Sequence, residues 1–293
     1  MNKNIALHGK KIESNSINQL KEILDSFISF QNNYWVSKEF YSDLKENKIL
    51  PDSFQPLQNE GDLNKIDMFW SIGGDGTFLE TVSKIGGRDI PILGINMGRL
   101  GFLATLSPND LTNGIEEIKN GNFTIESRSM IEVESDLEPF WENNFGLNEV
   151  GIMKTDTSSM INVKSYLNGE FLNNYWADGL IIATATGSTA YSLSIGGPII
   201  LPTSDHFIIA PMSPHNLTVR PIVIPNDAEL KFEISSRSNN FLLSLDSHSK
   251  VMESTNTITV RKGKYSAKII KIPGDNFFKT LRNKLHWGLD MRN

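Results

Sequence analysis

An aspartate inside a glycine turn is the feature of this sequence that most directly suggests chemistry. The turn lies in SIGGDGTFLE, residues 71–80, between an apolar run and a helical pattern. Glycines let the backbone approach an anion, and the N-terminus of a following helix offers free N–H groups, so the arrangement is suited to phosphate binding. A carboxylate repels phosphate unless a hydroxyl or a metal ion lies between them. Asp75 therefore suits a kinase, where it would align the attacking hydroxyl, take its proton or help to place Mg²⁺.

A purely structural interpretation of the same turn stays open. Glycine pairs and Asp-Gly steps are common in tight turns, and Asp75 could simply cap a helix that starts near Thr77. The four residues GGDG alone do not separate the two interpretations. They match neither the dinucleotide pattern G-x-G-x-x-G nor a Walker loop with its Gly-Lys-Ser/Thr, which disfavours an ordinary Rossmann dehydrogenase and a P-loop kinase.

A second cluster of small and hydroxyl residues lies in YWADGLIIATATGSTAYSLSIGGP, residues 175–198. GLIIAT is predicted to be a buried strand, and it leads directly into TGSTAYSLS. Small residues allow a flat ring or a ribose to approach closely, while hydroxyls and free backbone groups can recognise its polar edge. A tightly packed turn is the alternative, and the density of Gly, Ser, Thr and Ala, with Asp178 before them, makes it less favoured.

Two shorter motifs add candidate ligand contacts. In GLNEVGI, Asn148 and Glu149 are adjacent in an extended segment, so their side chains point to opposite faces and at most one should face a core. They could bracket a ribose, although alone they would be taken for an exposed strand end. NMGRLGFLA, residues 96–104, follows a predicted strand, and ligands gather at the carboxyl ends of strands in open α/β sheets. We expect this loop to share a crevice with the glycine turn, where Phe102 could cover a base or merely pack.

The elements that position these motifs differ between the two halves of the chain. Up to about residue 125, strands such as DMFWSI and DIPILGIN alternate with helical patterns, which predicts βαβ units and a mostly parallel sheet. The helix SINQLKEILDSFISF and the helix after GGDGT, with Phe78, Leu79, Val82 and Ile85 on one face, are of this kind. Ser107 is predicted to cap a further helix, with Pro108 at its first position.

From about residue 126 onward, short alternating segments predict antiparallel β structure. Asn168-Gly169 is a strong hairpin signal between two such segments. The tail DNFFKTLRNKLHWGLD is helical in pattern, with Asp275 as the predicted N-cap. The predicted domains are 1–125, a nucleotide-phosphate α/β domain completed by 270–293, and 126–269, a β-rich domain.

Composition excludes several classes of protein. The 293 residues carry a net charge of −6 and include no cysteine, which rules out disulfides, thiolate nucleophiles and cysteine zinc sites. The acidic balance weighs against nucleic-acid binding through a broad basic face. No apolar stretch approaches the ~20 residues of a membrane span, and the N-terminus lacks a signal-peptide core. The histidines show no metal-ligand spacing. We predict a cytoplasmic protein that binds neither membrane nor nucleic acid and holds no metal through its own side chains.

Four segments taken together closely resemble NAD kinase. They are GGDGT (73–77), GRLGFLA (98–104), LNEVGI (147–152) and DGLIIATATGSTAYSLSIGGP (178–198). GGDGT recurs in lipid kinases and, in similar form, in phosphofructokinases, whereas the last segment is far more specific. The resemblance implies transfer of the γ-phosphate of ATP to the 2′-hydroxyl of the adenosine ribose of NAD. It also implies an N-terminal α/β open-sheet domain, a C-terminal antiparallel β-rich domain that binds NAD, and a final helix that returns to the first domain.

The resemblance further implies a role for individual residues. Asp75 would contact the 2′-hydroxyl as general base, Asn148 and Glu149 would hold the nicotinamide-side ribose, and Phe102 would lie near the adenine. The other implied NAD contacts, some reaching a neighbouring subunit, are Gly76, Trp176, Asp178, Thr189, Ala190, Tyr191, Ser192, Leu193, Ser194 and His248. The implied phosphate turn is Gly73, Gly74, Gly76 and Thr77. Similar enzymes are dimers or tetramers and need Mg²⁺ or Mn²⁺, which the ATP phosphates would carry.

Two departures from the family pattern and two rival functions stay open. Trp176 stands where many members have a basic residue, and Asp246-Ser247-His248 stands where many have Asp-Gly-Gln. A lipid kinase of the diacylglycerol type would share GGDGT, but its usual Gly-Thr-Gly/Ala-Asn-Asp segment is missing. A nucleotide sensor without activity would share the fold, and the intact Asp75 is the feature against it.

Overall fold

The structure is a computed structural model that describes residues 3–10, 16–30, 32–137, 143–157 and 159–288. The α-helices in these ranges are α1 (Ile17–Ile28), α2 (Lys38–Glu46), α3 (Asp75–Ile85), α4 (Leu111–Lys119), α5 (Tyr191–Ser194) and α6 (Phe277–Leu285). The strands of the N-terminal part are β1 (Asn4–Gly9), β2 (Asn33–Val36), β3 (Gln55–Pro56), β4 (Met68–Ile72), β5 (Ile92–Ile95) and β6 (Thr124–Ser135).

The remaining strands follow in the C-terminal part of the chain. They are β7 (Phe145–Gly146), β8 (Glu149–Lys154), β9 (Ile161–Leu167), β10 (Glu170–Ala177), β11 (Gly179–Thr184), β12 (His206–Met212), β13 (Ile222–Pro225), β14 (Leu230–Ser235), β15 (Asn240–Leu245), β16 (His248–Glu253) and β17 (Thr257–Lys271). No helix in the described ranges is long and apolar enough to cross a membrane.

The chain divides into two compact units. Unit 1 consists of Met1–Glu126 together with Lys268–Asn293, and unit 2 consists of Ser127–Ala267. These units are close in extent to the predicted domains, whose behaviour as independent domains stays a prediction. The final helix α6 belongs to unit 1, as the predicted fold requires.

Unit 1 is built on a parallel sheet, as predicted. Its strand order is β5-β4-β1-β2-β3, with every neighbouring pair parallel. All five residues of β4 are buried, because helices cover both faces of a parallel sheet. Trp70 of β4 lies in the main core, with its ring 4.9 Å from that of Phe27 in α1. The end of β17 joins this sheet through the pairing of Ile269 with Ile92.

Helix α3 follows the glycine turn and confirms the predicted strand-turn-helix arrangement. Phe78, Val82 and Ile85 are buried along one face as predicted, while Leu79 is only half-buried and Thr81 completes the face. The helix begins at Asp75, so the interpretation of Asp75 as the cap of a helix starting near Thr77 is wrong. Gly74 is the N-cap, and the Asp75 side chain makes no capping hydrogen bond.

Of the two other predicted helix caps, Ser107 is confirmed and Asp275 is wrong. The Ser107 hydroxyl accepts a hydrogen bond from the Asp110 backbone N–H at 3.3 Å, and Pro108 opens the helical turn before α4, as predicted. The cap of α6 is Asn276 rather than Asp275, so that prediction is wrong by one residue. The Asp275 carboxylate is engaged elsewhere, because it accepts from the Thr105 hydroxyl at 2.7 Å and from the Lys271 ammonium at 3.0 Å.

Unit 2 is antiparallel, as predicted. One layer has the order β10-β9-β14-β17 and the other β13-β12-β11-β8-β15-β16. Strand β14, LKFEIS, alternates buried and exposed residues, and its Phe232 shares one apolar core with Phe207 and Phe241 of the other layer. The Asn168-Gly169 hairpin joins β9 to β10 with φ of 51° and 83°, the left-handed pair that a two-residue turn of this kind requires.

Candidate active site

The glycine turn lies where β4 ends, and one of its residues, Gly73, is glycine for a steric reason. Gly73 has a φ of 153°, and a Cβ there would overlap the hydroxyl of Thr77, which is itself buried. Gly74 caps α3 with nothing within 4 Å of its missing Cβ, so the backbone N–H groups of the first helical turn are approachable from that side. The turn therefore offers the open helix N-terminus that anion binding needs.

The Asp75 carboxylate is held by the backbone of one loop. Oδ2 accepts from the Phe102 N–H at 3.0 Å, and Oδ1 accepts from Leu103 at 2.9 Å and from Ala104 at 3.2 Å. Gly101 makes this possible, because a Cβ at that position would overlap Oδ1. The glycine turn and the NMGRLGFLA loop thus lie side by side and are joined by hydrogen bonds. That they share a ligand-binding crevice stays a prediction.

A lysine from the C-terminal helix completes the surroundings of Asp75. Lys284 Nζ lies 3.2 Å from Asp75 Oδ2 and 4.9 Å from the centre of the Phe102 ring. Burial works to raise the pKa of Asp75, but the three N–H donors and Lys284 outweigh it and hold that pKa below its usual range. Asp75 is therefore an ionised carboxylate at neutral pH, which makes it a strong hydrogen-bond acceptor and a weak base.

A second lysine, Lys10, lies next to the glycine turn. A Cβ on Gly76 would stand 3.4 Å from Lys10 Nζ, and Lys10 forms a 3.0 Å ion pair with Glu80 of α3. The same glutamate lies 3.4 Å from Nε2 of His8, whose Nδ1 is 2.8 Å from the Ser37 hydroxyl. His8 is thus buried and hydrogen-bonded within unit 1.

In unit 2, another aspartate holds the Asn-Glu motif in a comparable way. The Asp246 carboxylate accepts from the backbone N–H groups of Leu147 at 2.7 Å, Asn148 at 2.8 Å and Glu149 at 3.0 Å. Asp246 has a left-handed φ of 48°, a conformation that a non-glycine residue adopts at some cost. The aspartate of the Asp-Ser-His departure is therefore a positioning group for the segment that carries Asn148 and Glu149.

Glu149 is shielded from water to a degree that the sequence did not predict. Burial and the neighbouring Asp246 charge raise its pKa to about 8, against one backbone N–H bond from Tyr191. Its Oε2 is buried without a hydrogen-bond partner among the described residues, and Asn148 is only 8% exposed. Of the two residues only Asn148 is buried as a whole and Glu149 is half-buried, so the expectation that at most one of them faces a core is not contradicted.

The cluster of small and hydroxyl residues within 175–198 packs directly on the segment that carries Asn148 and Glu149. The Thr184 hydroxyl donates to the Leu147 carbonyl at 2.6 Å and accepts from the Gly187 N–H at 3.1 Å. A Cβ on Gly187 would overlap the Asn148 carbonyl, so only glycine fits there. GLIIAT is a fully buried strand as predicted, and TGST forms a 3-10 turn that leads into the short helix α5.

The other predicted NAD contacts in unit 2 differ in exposure and in their partners. Trp176 is 54% exposed and its ring lies 4.3 Å from that of His215. Asp178 forms a 2.7 Å ion pair with Lys154, so its carboxylate is already neutralised. In and before α5, the most exposed residues are Tyr191 and Ser194, Ser192 is buried, and Thr189, Ala190 and Leu193 are intermediate. His248 begins β16 and is exposed.

Sequence reasoning missed Lys284, Lys10 and the hydrogen-bonding role of Asp246. The first two are ordinary charged residues in ordinary contexts, and no local pattern distinguishes them. Asp246 was noticed only as part of a departure from the family motif. Among the described residues, no group of three or more His, Asp or Glu side chains is arranged to hold a metal ion.

Fold and site together define a kinase with an acidic glycine turn in its α/β unit and an antiparallel second unit. Models of the N-terminal and C-terminal domains of ATP-NAD kinase match residues 38–123 and 147–272. The chain is 43% identical to the NAD kinase of Cytophaga hutchinsonii over 98% of this chain and 99% of that one. It is 47% identical to the NAD kinase of Bacteroides fragilis over 88% of each. The chain belongs to the ATP-NAD kinase family.

Solved structures show the same fold. A yeast NADH kinase complexed with NADH superposes with a TM-score of 0.86 at 22% identity, covering 99% of this chain and 89% of that one. An NAD kinase from Archaeoglobus fulgidus in complex with ATP has a TM-score of 0.70 at 23% identity, covering 97% and 98%. The predicted family and the predicted fold are thus both confirmed, and the chain is a phosphotransferase of the kinase class.

Proposed function

We propose that this protein transfers the γ-phosphate of ATP to the 2′-hydroxyl of the adenosine ribose of NAD, with Asp75 as the group that holds the hydroxyl. The observation that carries the proposal is the position of Asp75. It is an ionised carboxylate at the first residue of a helix that phosphate can approach, fixed by three N–H bonds from one loop. A carboxylate there accepts a hydrogen bond from the attacking hydroxyl and aligns it with the phosphorus.

We propose that Asp75 acts first in orientation and second in proton transfer, and the direction of its pKa shift supports this order. A strong base would need a pKa nearer to the working pH, and this carboxylate is held well ionised instead. Phosphoryl transfer through a loose transition state demands little deprotonation before the new bond forms. Asp75 would therefore fix the hydroxyl by a charge-assisted hydrogen bond and take its proton late, as the O2′–phosphorus bond forms.

The glycine turn is proposed to bind the phosphates of ATP. Because Gly73, Gly74 and Gly76 have no side chains, the first turn of α3 is left open. The Thr77 side chain packs against Gly73. The helix N-terminus then supplies N–H donors and a partial positive charge. A divalent ion, Mg²⁺ or Mn²⁺, would be carried on the phosphates and would neutralise their charge, since the described side chains form no metal cage of their own.

NAD binding is proposed for the motif residues of unit 2. Asn148 and Glu149 would hold the nicotinamide-side ribose, because Glu149 is largely protonated at neutral pH and can donate as well as accept. The other proposed contacts are Trp176, Asp178, Thr189, Ala190, Tyr191, Ser192, Leu193, Ser194 and His248. In unit 1, Phe102 is the proposed contact to the adenine, and its ring is already covered by the Lys284 ammonium.

The working enzyme is proposed to be a cytoplasmic homodimer or homotetramer that makes NADP for the cell. The resemblance to NAD kinase implies a dimer or a tetramer, and light scattering coupled to gel filtration, at the protein concentration of the activity assay, tests this part. A monomer that retains full activity would contradict it.

The experiment that tests the proposed reaction is NADP formation from NAD and ATP with Mg²⁺, followed by an NADP-specific dehydrogenase. We expect stoichiometric ADP and NADP, with activity lost on chelation and restored by Mg²⁺ or Mn²⁺. ³¹P NMR of the product locates the new phosphate. A product phosphorylated elsewhere than at the 2′-oxygen, or phosphorylation of diacylglycerol in place of NAD, would contradict the proposal.

A further inference from the structure

Lys284 lies in the last turn of α6 and reaches back to the glycine turn. Its Nζ is 3.2 Å from Asp75 Oδ2, although the two residues are 209 positions apart in the sequence. Among the described residues it is the one cation in an ion pair with Asp75. Its ammonium also lies 4.9 Å from the centre of the Phe102 ring. A single lysine therefore contacts both the carboxylate that holds the hydroxyl and the loop that holds the carboxylate.

The helix that carries Lys284 is anchored beside the same loop. The Thr105 hydroxyl donates to Asp275 at 2.7 Å, immediately before the Asn276 cap of α6, and Thr280 and Leu281 are buried along the helix. The Phe277 ring lies 6.2 Å from the Phe102 ring. These contacts fix the base of α6 against the segment that donates to Asp75. The position of Lys284 is thus set by the fold around the site and not only by its own ion pair.

Helix-end electrostatics is an alternative explanation for a basic residue at this position. Lysines and arginines favour the last turn of a helix because they interact with its negative end. Arg282 occupies the same turn and satisfies that preference, and no ion pair from Arg282 to a described acidic residue is formed. Exposed ion pairs also contribute little to stability. Helix-end electrostatics therefore explains a cation in the last turn, but it does not explain why one of the two lies on Asp75.

We propose that Lys284 is a further catalytic residue, whose ammonium binds the phosphoryl group while it moves from ATP to the ribose. This inference rests on the proposed function of Asp75. In the step, the bond from O2′ to the γ-phosphorus forms, and the bond from that phosphorus to the β,γ-bridging oxygen breaks with its electron pair passing to ADP. The hydroxyl proton goes to Asp75. Lys284 keeps its protons and donates hydrogen bonds throughout.

Distance and charge both support this role. A hydroxyl held by Asp75 lies about 2.7 Å from a carboxylate oxygen, and the phosphorus must approach within about 3–3.5 Å of that hydroxyl. Lys284 Nζ starts 3.2 Å from the same carboxylate, so rotation about its flexible stem brings it onto an equatorial phosphoryl oxygen. Negative charge on these oxygens is what a kinase must stabilise, and a cation held near them in a partly desolvated site does so effectively.

The test compares Lys284→Met, Lys284→Arg and the matched control Arg282→Met, which removes the other cation of the same helix turn. We expect Lys284→Met to lower kcat about 10²-fold or more, the scale of losing one transition-state donor, while KM for NAD changes less than about threefold. Lys284→Arg should recover most of kcat because it restores the cation, and Arg282→Met should stay within about twofold of wild type. Melting temperatures of all variants should agree closely.

Chemical rescue separates a catalytic ammonium from a structural one. In Lys284→Ala, added methylamine should raise kcat in a saturable way, whereas uncharged methanol should not. Equal kcat in Lys284→Met and Arg282→Met, beside a wild type that makes NADP, would overturn the role of Lys284 and leave the proposed reaction intact. A loss of kcat that follows a lower melting temperature and no amine rescue would also overturn it. A wild type that makes no NADP would remove the proposed function itself.

Discussion

Gly101 leaves the space that the Asp75 carboxylate fills, because a Cβ at position 101 would overlap Asp75 Oδ1. The backbone next to this glycine then donates to the same carboxylate, from Phe102, Leu103 and Ala104. The GRLGFLA motif is therefore shaped around an acidic side chain that arrives from another element. The placement of Asp75 depends on this loop as much as on its own helix.

Substitution of Gly101 by alanine tests the dependence of catalysis on that fit. The added methyl group should displace the carboxylate and lower kcat by at least about tenfold, since small misplacements of a catalytic group are costly. Gly61→Ala is a suitable control, because it adds the same methyl group at an exposed glycine of the same unit, where the nearest atom is Asn59 Oδ1 at 3.0 Å. Steady-state kinetics checks both variants. An unchanged kcat in Gly101→Ala would show that the close approach of Gly101 to Asp75 Oδ1 is not needed for catalysis.

Asp246→Asn tests the second carboxylate that holds a loop. The Leu147 N–H bonds one carboxylate oxygen and the N–H groups of Asn148 and Glu149 bond the other, so an amide keeps one set and turns an NH₂ donor toward the other. Leaving such donors unpaired costs about 1–3 kcal/mol, so the free energy of unfolding should fall by that order. NAD affinity measured by calorimetry should fall as well, because Asn148 and Glu149 lose their support.

The control for this change is Asp227→Asn, which alters an exposed aspartate of the same unit. It should leave urea unfolding and NAD binding at wild-type values. If Asp246→Asn bound NAD as tightly as this control, Asp246 would be structural at most.

Glu149→Gln tests the raised pKa of Glu149. The native pKa of about 8 exceeds the ordinary value of 4.5, so the folded state binds more protons than the unfolded state between these two limits. Stability from this group is therefore present at low pH and is lost as pH rises from about 4.5 to about 8. Glutamine stays neutral, so the variant should gain stability relative to wild type, by at least about 1 kcal/mol between pH 5 and pH 8. Urea unfolding at several pH values measures this, and a difference that does not change with pH would contradict it.

Elements with strong local signals were predictable from the sequence. The β4-turn-α3 arrangement follows from an apolar run, glycines and helical spacing, and the hairpin follows from Asn168-Gly169. The Ser107 cap is equally local. Such features depend on residues within a few positions of one another, which is the range over which patterns carry information.

Features that depend on distant partners were not predictable. Asp275 satisfies every local rule for a cap, yet Thr105 and Lys271 take its carboxylate and Asn276 caps α6 instead. Lys284 reaches Asp75 across 209 positions, and nothing in LRNKLHW indicates it. Asp246, which binds the Glu149 N–H and contributes to the raised pKa of Glu149, lies 97 positions later, so no local pattern indicates it.

The most direct measurement of the central claim is single-turnover NADP formation by Asp75→Asn beside wild type, with NAD binding measured on the same samples. Asparagine preserves shape but not charge, so NAD affinity should remain within about threefold. The rate of phosphoryl transfer should fall about 10²–10⁴-fold, the typical contribution of a positioned side chain that takes the proton in the transition state. A variant that transfers phosphate at the wild-type rate would contradict the account, because the hydroxyl would then be aligned by some group other than Asp75.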